Sequence, residues 1–327
     1  MSDFGARAQA IFGARARADV PLAPLTTFRV GGRADWLVET RTSAETIAAV
    51  RLAADCGLPV TLLGGGSNVL VSDRGVRGVV VRPRGGTIAQ IDRARVRADA
   101  AVSINGLVRW TLLRSLAGLE AWAGTPGTVG GAVYGNAHFG GRLIGELISE
   151  VQLVDRGARC ASVPASAMGF GYDRSRLQQT GEVVLNATFS VLPGEVSALR
   201  GVARQSLAFR RRTQPLEASS AGCVFQNPER GRDRLPDDLP WSAGALVDRA
   251  GLKGRRVGGA TVSMAHGNFI VNDGSATAAD IYTLAELCRA AVKARFGVEL
   301  RREIVLLGEF DEAAPGGAHL QSKTDER

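Results

Sequence analysis

The sequence predicts an α+β protein of more than one module, and three observations carry that prediction. The chain has 327 residues, more than one small core requires. Short runs rich in Val and Leu alternate with capped amphipathic stretches. Many of its 41 glycines fall between such runs, where backbone must turn tightly or lie close to something else. Hydrophobic residues at 45% and charged residues at 22% exclude a disordered, fibrous or membrane-embedded chain.

From Leu22 to about Arg82, the runs Trp36 to Val38, Val60 to Leu63, Val69 to Val71 and Val79 to Val81 read as strands. A helix is predicted over Ser43 to Cys56, with Ser43 as N-cap, Gly57 past its end and Pro59 barring continuation. Ile104, Val108, Leu112 and Leu116 recur every fourth residue and predict a helix over Ser103 to Ala117. Val183 to Leu185 and Ala187 to Leu192 read as strands, followed by a helix through Val196, Leu199, Ala203 and Leu207 into Arg210 to Arg212. Thr277 and Asp280 form a capping-box pattern for a helix over Ala278 to Phe296 that faces Ile281, Leu284, Cys288 and Val292 inward. A last strand is predicted over Val298 to Leu307.

The net charge is +8, but the arginines are interspersed with acidic residues rather than gathered in a block, so no nucleic-acid partner is expected. The four cysteines (Cys56, Cys160, Cys223, Cys288) lie far apart, and with three histidines they give no metal-site spacing, so neither a metal nor a disulfide framework is expected. Met1 to Val20 lacks the apolar core of a signal peptide, and no run of about 18 apolar residues occurs. A cytoplasmic protein with reduced thiols and no membrane insertion is the expectation.

Three segments have the composition of a site. In Leu63 to Leu70, Gly64, Gly65 and Gly66 precede Ser67 and Asn68, a pattern that lets several N–H groups converge on a diphosphate and that also suits a glycine-rich hairpin turn. It is neither a G-x-G-x-x-G fingerprint nor a P-loop. Gly124 to Ala132 contains Thr125, Pro126, Gly127, Gly130, Gly131 and Ala132; two such loops suit one extended dinucleotide, or else close packing between strands. Ser219 to Pro228 places Cys223 and Asn227 in a glycine-flanked turn, where a lone thiol reads first as a small buried hydrophobe. Glu303 lies in an apolar run behind Arg301 and Arg302, and the pattern leaves open whether it meets solvent or a site.

Together these segments resemble the MurB family of flavin-dependent UDP-sugar enolpyruvate reductases. The likeness covers about residues 22 to 309: Leu25 to Gly32, Gly64 to Asp73, Gly124 to Ala132, Gln214 to Leu216, Gly222 to Pro228, Ala245 to Gly254, Gly259 to Asn272 and Leu300 to Ile304. It implies an FAD-binding domain of the p-cresol methylhydroxylase type, made of two lobes and followed by a smaller α+β substrate domain. The boundaries expected on that basis are 1–21 for an N-terminal extension, 22–205 for the FAD domain, 206–311 for the substrate domain and 312–327 for a disordered tail. The two glycine loops would hold FAD non-covalently, and Arg210 to Arg212 would meet a phosphate or simply end a helix.

The implied reaction converts UDP-N-acetylglucosamine enolpyruvate to UDP-N-acetylmuramate for peptidoglycan, with NADPH as hydride donor and hydride passing through the flavin to the β-carbon of the enolpyruvyl ether. By motif position the resemblance makes Cys223 the proton donor, sets Arg174 and Glu303, the latter protonated or hydrogen-bonded to Arg174, at the substrate carboxylate, and puts Tyr172, Asn227 and His266 on the substrate. Another substrate on the same fold, or a noncatalytic UDP-sugar-binding relative, are the rival readings.

Three departures from the family pattern stand out. Cysteine replaces the usual serine at 223, so a thiol with an ordinary pKa of about 8.5 would make activity decline at alkaline pH. Gly171-Tyr172-Asp173-Arg174-Ser175 replaces Gly-Tyr-Arg-x-Ser, moving the arginine by one position. Asn136-Ala137-His138-Phe139-Gly140 replaces N-A-G-A-Y-G, and His138 reads there as a loop histidine.

Overall fold

A computed structural model describes residues 2–311; the predicted tail over 312–327 lies outside the described residues. The first lobe is a four-stranded sheet in which Ala16–Pro21 runs antiparallel to Arg33–Thr40, followed by Val76–Pro83 and Val60–Leu62 in parallel. The residues before 22 are part of it. The helix Ser2–Phe12 buries Phe4, Ala8 and Phe12 against Val38, Leu52 and Val79, and Ala16–Pro21 is the edge strand. The helix Ser43–Asp55 covers the same core, capped by Thr42 rather than Ser43, because the Thr42 hydroxyl accepts from Glu45 N–H.

The second lobe is a five-stranded antiparallel sheet in the order Cys160–Pro164, Ile148–Val154, Val183–Ser190, Arg95–Asp99, Ile88–Gln90. The two strand runs predicted between 183 and 192 form the single strand Val183–Ser190, since every residue through Phe189 is buried and pairing with Ile148–Val154 spans it despite two register shifts. The helix expected over Ser103 to Ala117 spans only Ile104–Leu112. Ser115 adopts φ +58 and turns Leu116–Ala117 into a strand paired with Leu192–Pro193. Leu107, Trp122, Val133 and Phe189 centre this core.

The third unit packs the helix Ala278–Phe296 on a three-stranded antiparallel sheet, Arg256–Val257, Ala260–Val262, Ile270–Asn272. The helix has the predicted bounds and the predicted capping box between Thr277 and Asp280, and Ile281, Leu284, Cys288 and Val292 are buried. Asp73, in the first lobe, adds a second cap: its two carboxylate oxygens each accept, at 2.9 Å, from Ala278 and Ala279 N–H. The helix Val196–Thr213 runs without a break across position 205.

The strand predicted over Val298 to Leu307 is reduced to Val305–Leu307, which pairs in parallel with Val69–Val71 of the first lobe. The residues just before it take a different partner: Gln226 N–H donates to the Arg301 carbonyl and Glu303 N–H to the Val224 carbonyl, both at 2.8 Å. One run of chain thus joins the Cys223 turn to the strand that follows the first glycine loop. No described helix is long and apolar enough to cross a membrane.

Candidate active site

The first glycine segment is not a hairpin turn. Its flanking strands pair with Val76–Pro83 and Val305–Leu307 and not with each other. Gly66 has φ +65 and packs on Leu25 and Thr26, where a Cβ would run into the Leu25 carbonyl, while Thr27 N–H donates to the Gly66 carbonyl at 3.0 Å. The two glycine loops touch: a Cβ on Gly65 would lie 2.9 Å from the Gly127 Cα, and one on Gly127 would lie 2.7 Å from Ser67 Oγ. Close backbone packing between the two loops is therefore present here.

The N–H groups of Gly64, Gly65, Gly66, Ser67 and Asn68 donate to no acceptor among the described residues. Such a run of free donors on closely packed glycines fits a diphosphate. The second loop is more fully used. Thr125 N–H and Gly130 N–H donate to the Trp122 and Ala100 carbonyls, and Thr128 caps the short helix Val129–Tyr134 that contains Gly131 and Ala132. Pro126 joins those two parts.

Of the three arginines ending Val196–Thr213, only Arg210 turns inward; Arg211 and Arg212 are exposed. Arg210 donates to Thr125 Oγ1 at 2.8 Å and lies 3.9 Å above the Phe139 ring. Its Nε has no partner, and burial pushes its pKa down to about 10. A buried cation without a carboxylate, beside the second loop, fits an anionic ligand group.

The Cys223 turn is held by Asn268. Asn268 Oδ1 accepts from Phe225 N–H at 2.9 Å, its Nδ2 donates to the Phe225 carbonyl at 2.7 Å, and its own carbonyl accepts from Val224 N–H at 2.8 Å. The strand-like pairing with Arg301 and Glu303 fixes the other side, and Asn68 Nδ2 donates to the Glu303 carbonyl at 3.3 Å, tying Glu303 to the first glycine loop. Burial, then the Glu303 and Asp173 charges, push the Cys223 thiol far above its ordinary range. Burial and then the Asp173 charge likewise hold the Glu303 carboxyl well above the usual carboxylate range.

The shifted arginine motif resolves into an unexpected geometry. Asp173 adopts φ +50 and turns its carboxylate toward Glu303, while Arg174 is exposed with its guanidinium along Gly171 and no side-chain hydrogen bond or ion pair to a described residue. His138 Nδ1 meets Asp173 Oδ1 at 2.9 Å, and ligand atoms of His138, Asp173 and Glu303 all lie within 4.8 Å of one another. Tyr172 lies against the His138 ring at 4.7 Å, its hydroxyl 3.5 Å from His138 Nε2. That hydroxyl also accepts from Asn227 N–H at 3.4 Å and Asn227 Nδ2 at 3.3 Å, bridging the second lobe to the third unit. Burial, then the Asp173 and Glu303 charges, raise the Tyr172 phenol well above its usual value.

His266 makes its side-chain hydrogen bond with Asn268. Its Nδ1 accepts from Asn268 N–H at 3.2 Å, its ring meets Phe269 edge-on, and a Cβ on Gly244 would come within 2.9 Å of its Cε1. Burial, then Lys253, lower its pKa, which favours a neutral ring. It is linked to the Cys223 turn through Asn268 and not directly.

Residues 34–163 match the model of an FAD-binding domain, and residues 214–307 match that of the UDP-N-acetylenolpyruvoylglucosamine reductase C-terminal domain. A UDP-N-acetylenolpyruvoylglucosamine reductase of Synechococcus sp. (strain JA-3-3Ab) is 40% identical over 300 residues, which cover 91% of this chain and 93% of that protein. The chain belongs to the UDP-N-acetylenolpyruvoylglucosamine reductase family. Another reductase, from Anaeromyxobacter sp. (strain Fw109-5), is 42% identical over 89% of this chain and 88% of its own length. The crystal structure of the reductase (MurB) from Thermus caldophilus superposes with a TM-score of 0.74 at 32% identity, covering 90% of this chain and all of that one. Within this reductase family frame the chain is an α+β flavoprotein fold of two FAD-binding lobes and a C-terminal domain.

Sequence reasoning gave no site role to three residues that the structure sets beside Cys223, Glu303 or Tyr172: Asn268, Asp173 and His138. Asn268 carries a weak signal, an amide two residues after His266 in a glycine turn; the other two are visible only as departures from the family motifs.

Proposed function

We propose that the chain reduces UDP-N-acetylglucosamine enolpyruvate to UDP-N-acetylmuramate, a peptidoglycan precursor, with FAD held non-covalently on the two glycine loops and NADPH as the external reductant. The observation that carries this reading is the pairing of residues 224–226 with 301–303, which sets a protonated thiol and a neutral carboxyl at the end of the first glycine loop. FAD, when bound, supplies the hydride. Gly64 to Asn68 would hold its diphosphate with main-chain N–H groups, with Thr125 to Ala132 and Arg210 beside it.

Hydride addition at the β-carbon of the enolpyruvyl ether leaves an electron pair on the α-carbon, delocalised into the carboxylate. Cys223 Sγ–H gives its proton to that carbon, and the resulting thiolate is reprotonated from solvent. A thiol pushed upward by burial is a reluctant acid toward water but a competent one toward a carbanion, which is far more basic. Glu303 remains neutral and hydrogen-bonds the developing enolate; a carboxylate in its place would repel it. Tyr172 and Asn227, already joined by hydrogen bonds, would line the UDP-sugar cleft with His266 farther along it. NADPH and the UDP-sugar would occupy one cavity in turn. Both are phosphorylated metabolites of the cell interior, so the reaction is placed in the cytoplasm.

An anaerobic experiment tests the reading. The purified protein should be yellow, NADPH should bleach its flavin absorbance, and the UDP-enolpyruvyl sugar should restore it in a single turnover. Bleaching without recovery would assign a different substrate, and a protein that retains no flavin would overturn the proposal.

A further inference from the structure

The helices Ile104–Leu112 and Val196–Thr213 lie side by side and leave a groove between them. Its volume is about 280 Å³, at the small end of cavities that hold a ligand. Val108, Leu112 and Leu113 wall it on one side, Ala203 and Leu207 on the other. Leu113 and Leu207 remain exposed, so the apolar strip they continue is only partly covered.

The rim of this groove is positive. It carries Arg109 and Arg200, one on each helix, both exposed and neither with a salt bridge or side-chain hydrogen bond to a described residue. No acidic residue lines the groove. Elsewhere on the surface arginines are paired locally, Arg95 with Asp92 and Arg159 with Asp155. An apolar trough with two unpaired guanidinium groups at its edge is complementary to a molecule with an apolar body and one anionic head. A neutral chain would leave the rim unused, and a cation would be repelled by it.

The inner end of the groove is Ala123 and Gly124, immediately before Thr125 of the second glycine loop. Asn105, also in the wall, accepts from Gly124 N–H at 2.7 Å and donates from Nδ2 to the Thr125 carbonyl at 3.1 Å. Thr125 Oγ1 in turn accepts from Arg210 at 2.8 Å. Gly124, at φ +83, packs so closely that a Cβ would lie 2.8 Å from Leu207 Cδ2 and 3.0 Å from Arg210 Cδ. The groove wall and the start of the second loop are thus one hydrogen-bonded and packed unit. Two ligands that each order the same unit favour one another.

We propose that this groove is a binding site for an amphipathic monoanion, an aliphatic carboxylate, and that its occupancy tightens the hold on FAD. The chain lies along Leu112 and Leu207, and the carboxylate meets Arg109 and Arg200. The site stands on the groove alone; the coupling rests on the function proposed above, which sets FAD on the second glycine loop.

The test titrates the full chain, loaded with FAD, with octanoate by calorimetry, using octanol and octyltrimethylammonium as neutral and cationic controls. Octanoate should bind one-to-one and more tightly than either control. From hexanoate to octanoate the affinity should rise by about twofold to fourfold per CH₂, the gain of burying each in a half-open groove. The double variant Arg109→Gln, Arg200→Gln should weaken octanoate about threefold to tenfold, the loss of two rim ion pairs, and leave octanol unchanged. Leu113→Glu, at an exposed position, should weaken octanoate as well, by placing a carboxylate in the trough. During dialysis, octanoate should slow the loss of FAD about fivefold in wild type and not in the double variant. Equal binding of octanol and octanoate, unchanged octanoate affinity in the double variant, or binding at many equivalent positions overturns the site. So does displacement of octanoate by the UDP-enolpyruvyl sugar, which would put it in the substrate cleft. One-to-one binding with no change in FAD loss overturns the coupling. If the purified chain retains no flavin, the proposed function and the coupling fall together, while octanoate binding to that same preparation still decides the site.

Discussion

Asn268 brackets the Phe225 peptide, accepting from its N–H at 2.9 Å and donating to its carbonyl at 2.7 Å, and through that peptide fixes the turn that presents Cys223. Phe225 and Asn268 are both buried, so neither lost bond can be replaced by water. Asn268→Ala should cost about 2–4 kcal/mol of stability, read by urea unfolding, because two buried main-chain groups lose their partners. Asn268→Asp should keep the acceptor, lose the donor, and lower the single-turnover rate without abolishing flavin binding.

Contact between Gly65 and Gly127 sets a limit on side-chain size at the cradle. Gly65→Ala should push the loops apart at a cost of about 1–3 kcal/mol and weaken FAD retention by at least about tenfold. Gel filtration followed by the ratio of visible to ultraviolet absorbance measures this; circular dichroism should stay unchanged. Full retention of flavin would show that the loops do not close on it.

Cys223 should behave as a protected thiol. With its ionisation pushed upward by burial and by the neighbouring carboxyl groups, it should alkylate with iodoacetamide far more slowly than the exposed Cys160. Cys223→Ala should slow flavin reoxidation by the sugar by about a hundredfold to ten-thousandfold, the range of a lost general acid, and Cys223→Ser should restore most of it. A sharp loss of activity between about pH 8 and 9 that disappears in Cys223→Ser would contradict the upward shift.

Glu303 gives a stability signature with a definite sign. Its folded-state pKa lies above the ordinary 4.5, so between those two values the folded chain binds more protons than the unfolded one. Stability attributable to this group is fully present below the unfolded value and is lost as pH rises through the folded one. The flavin-free protein should therefore gain stability at neutral pH in Glu303→Gln, and the gain should vanish near about pH 4. Thermal unfolding of both proteins across that range provides the check, and equal differences at all pH values would contradict it.

What the sequence revealed followed the range of the interactions involved. The helix Ala278–Phe296 was legible, since its capping box and its apolar face are local. Its second cap was not, because Asp73 stands 205 residues earlier. The glycine segment was recognisable, but that it is not a hairpin depended on Val305–Leu307, a partner beyond the reach of any local pattern. The strand predicted over Val298 to Leu307 failed for the same reason: the apolar run serves two different partners in succession. At the site, motif position located Cys223 and Glu303, whereas the direction of Asp173 was set by a left-handed backbone turn that composition does not encode.

The parallel pairing of Val69–Val71 with Val305–Leu307 has a consequence for biosynthesis. As the polypeptide leaves the ribosome, Val69–Val71 emerges early without its strand partner, which is among the last described residues to appear. Glu303 arrives with it. A nascent chain stalled or cleaved before position 303 would hold both glycine loops yet lack the carboxyl and the pairing strand, so this cluster is complete only after residue 307 has emerged.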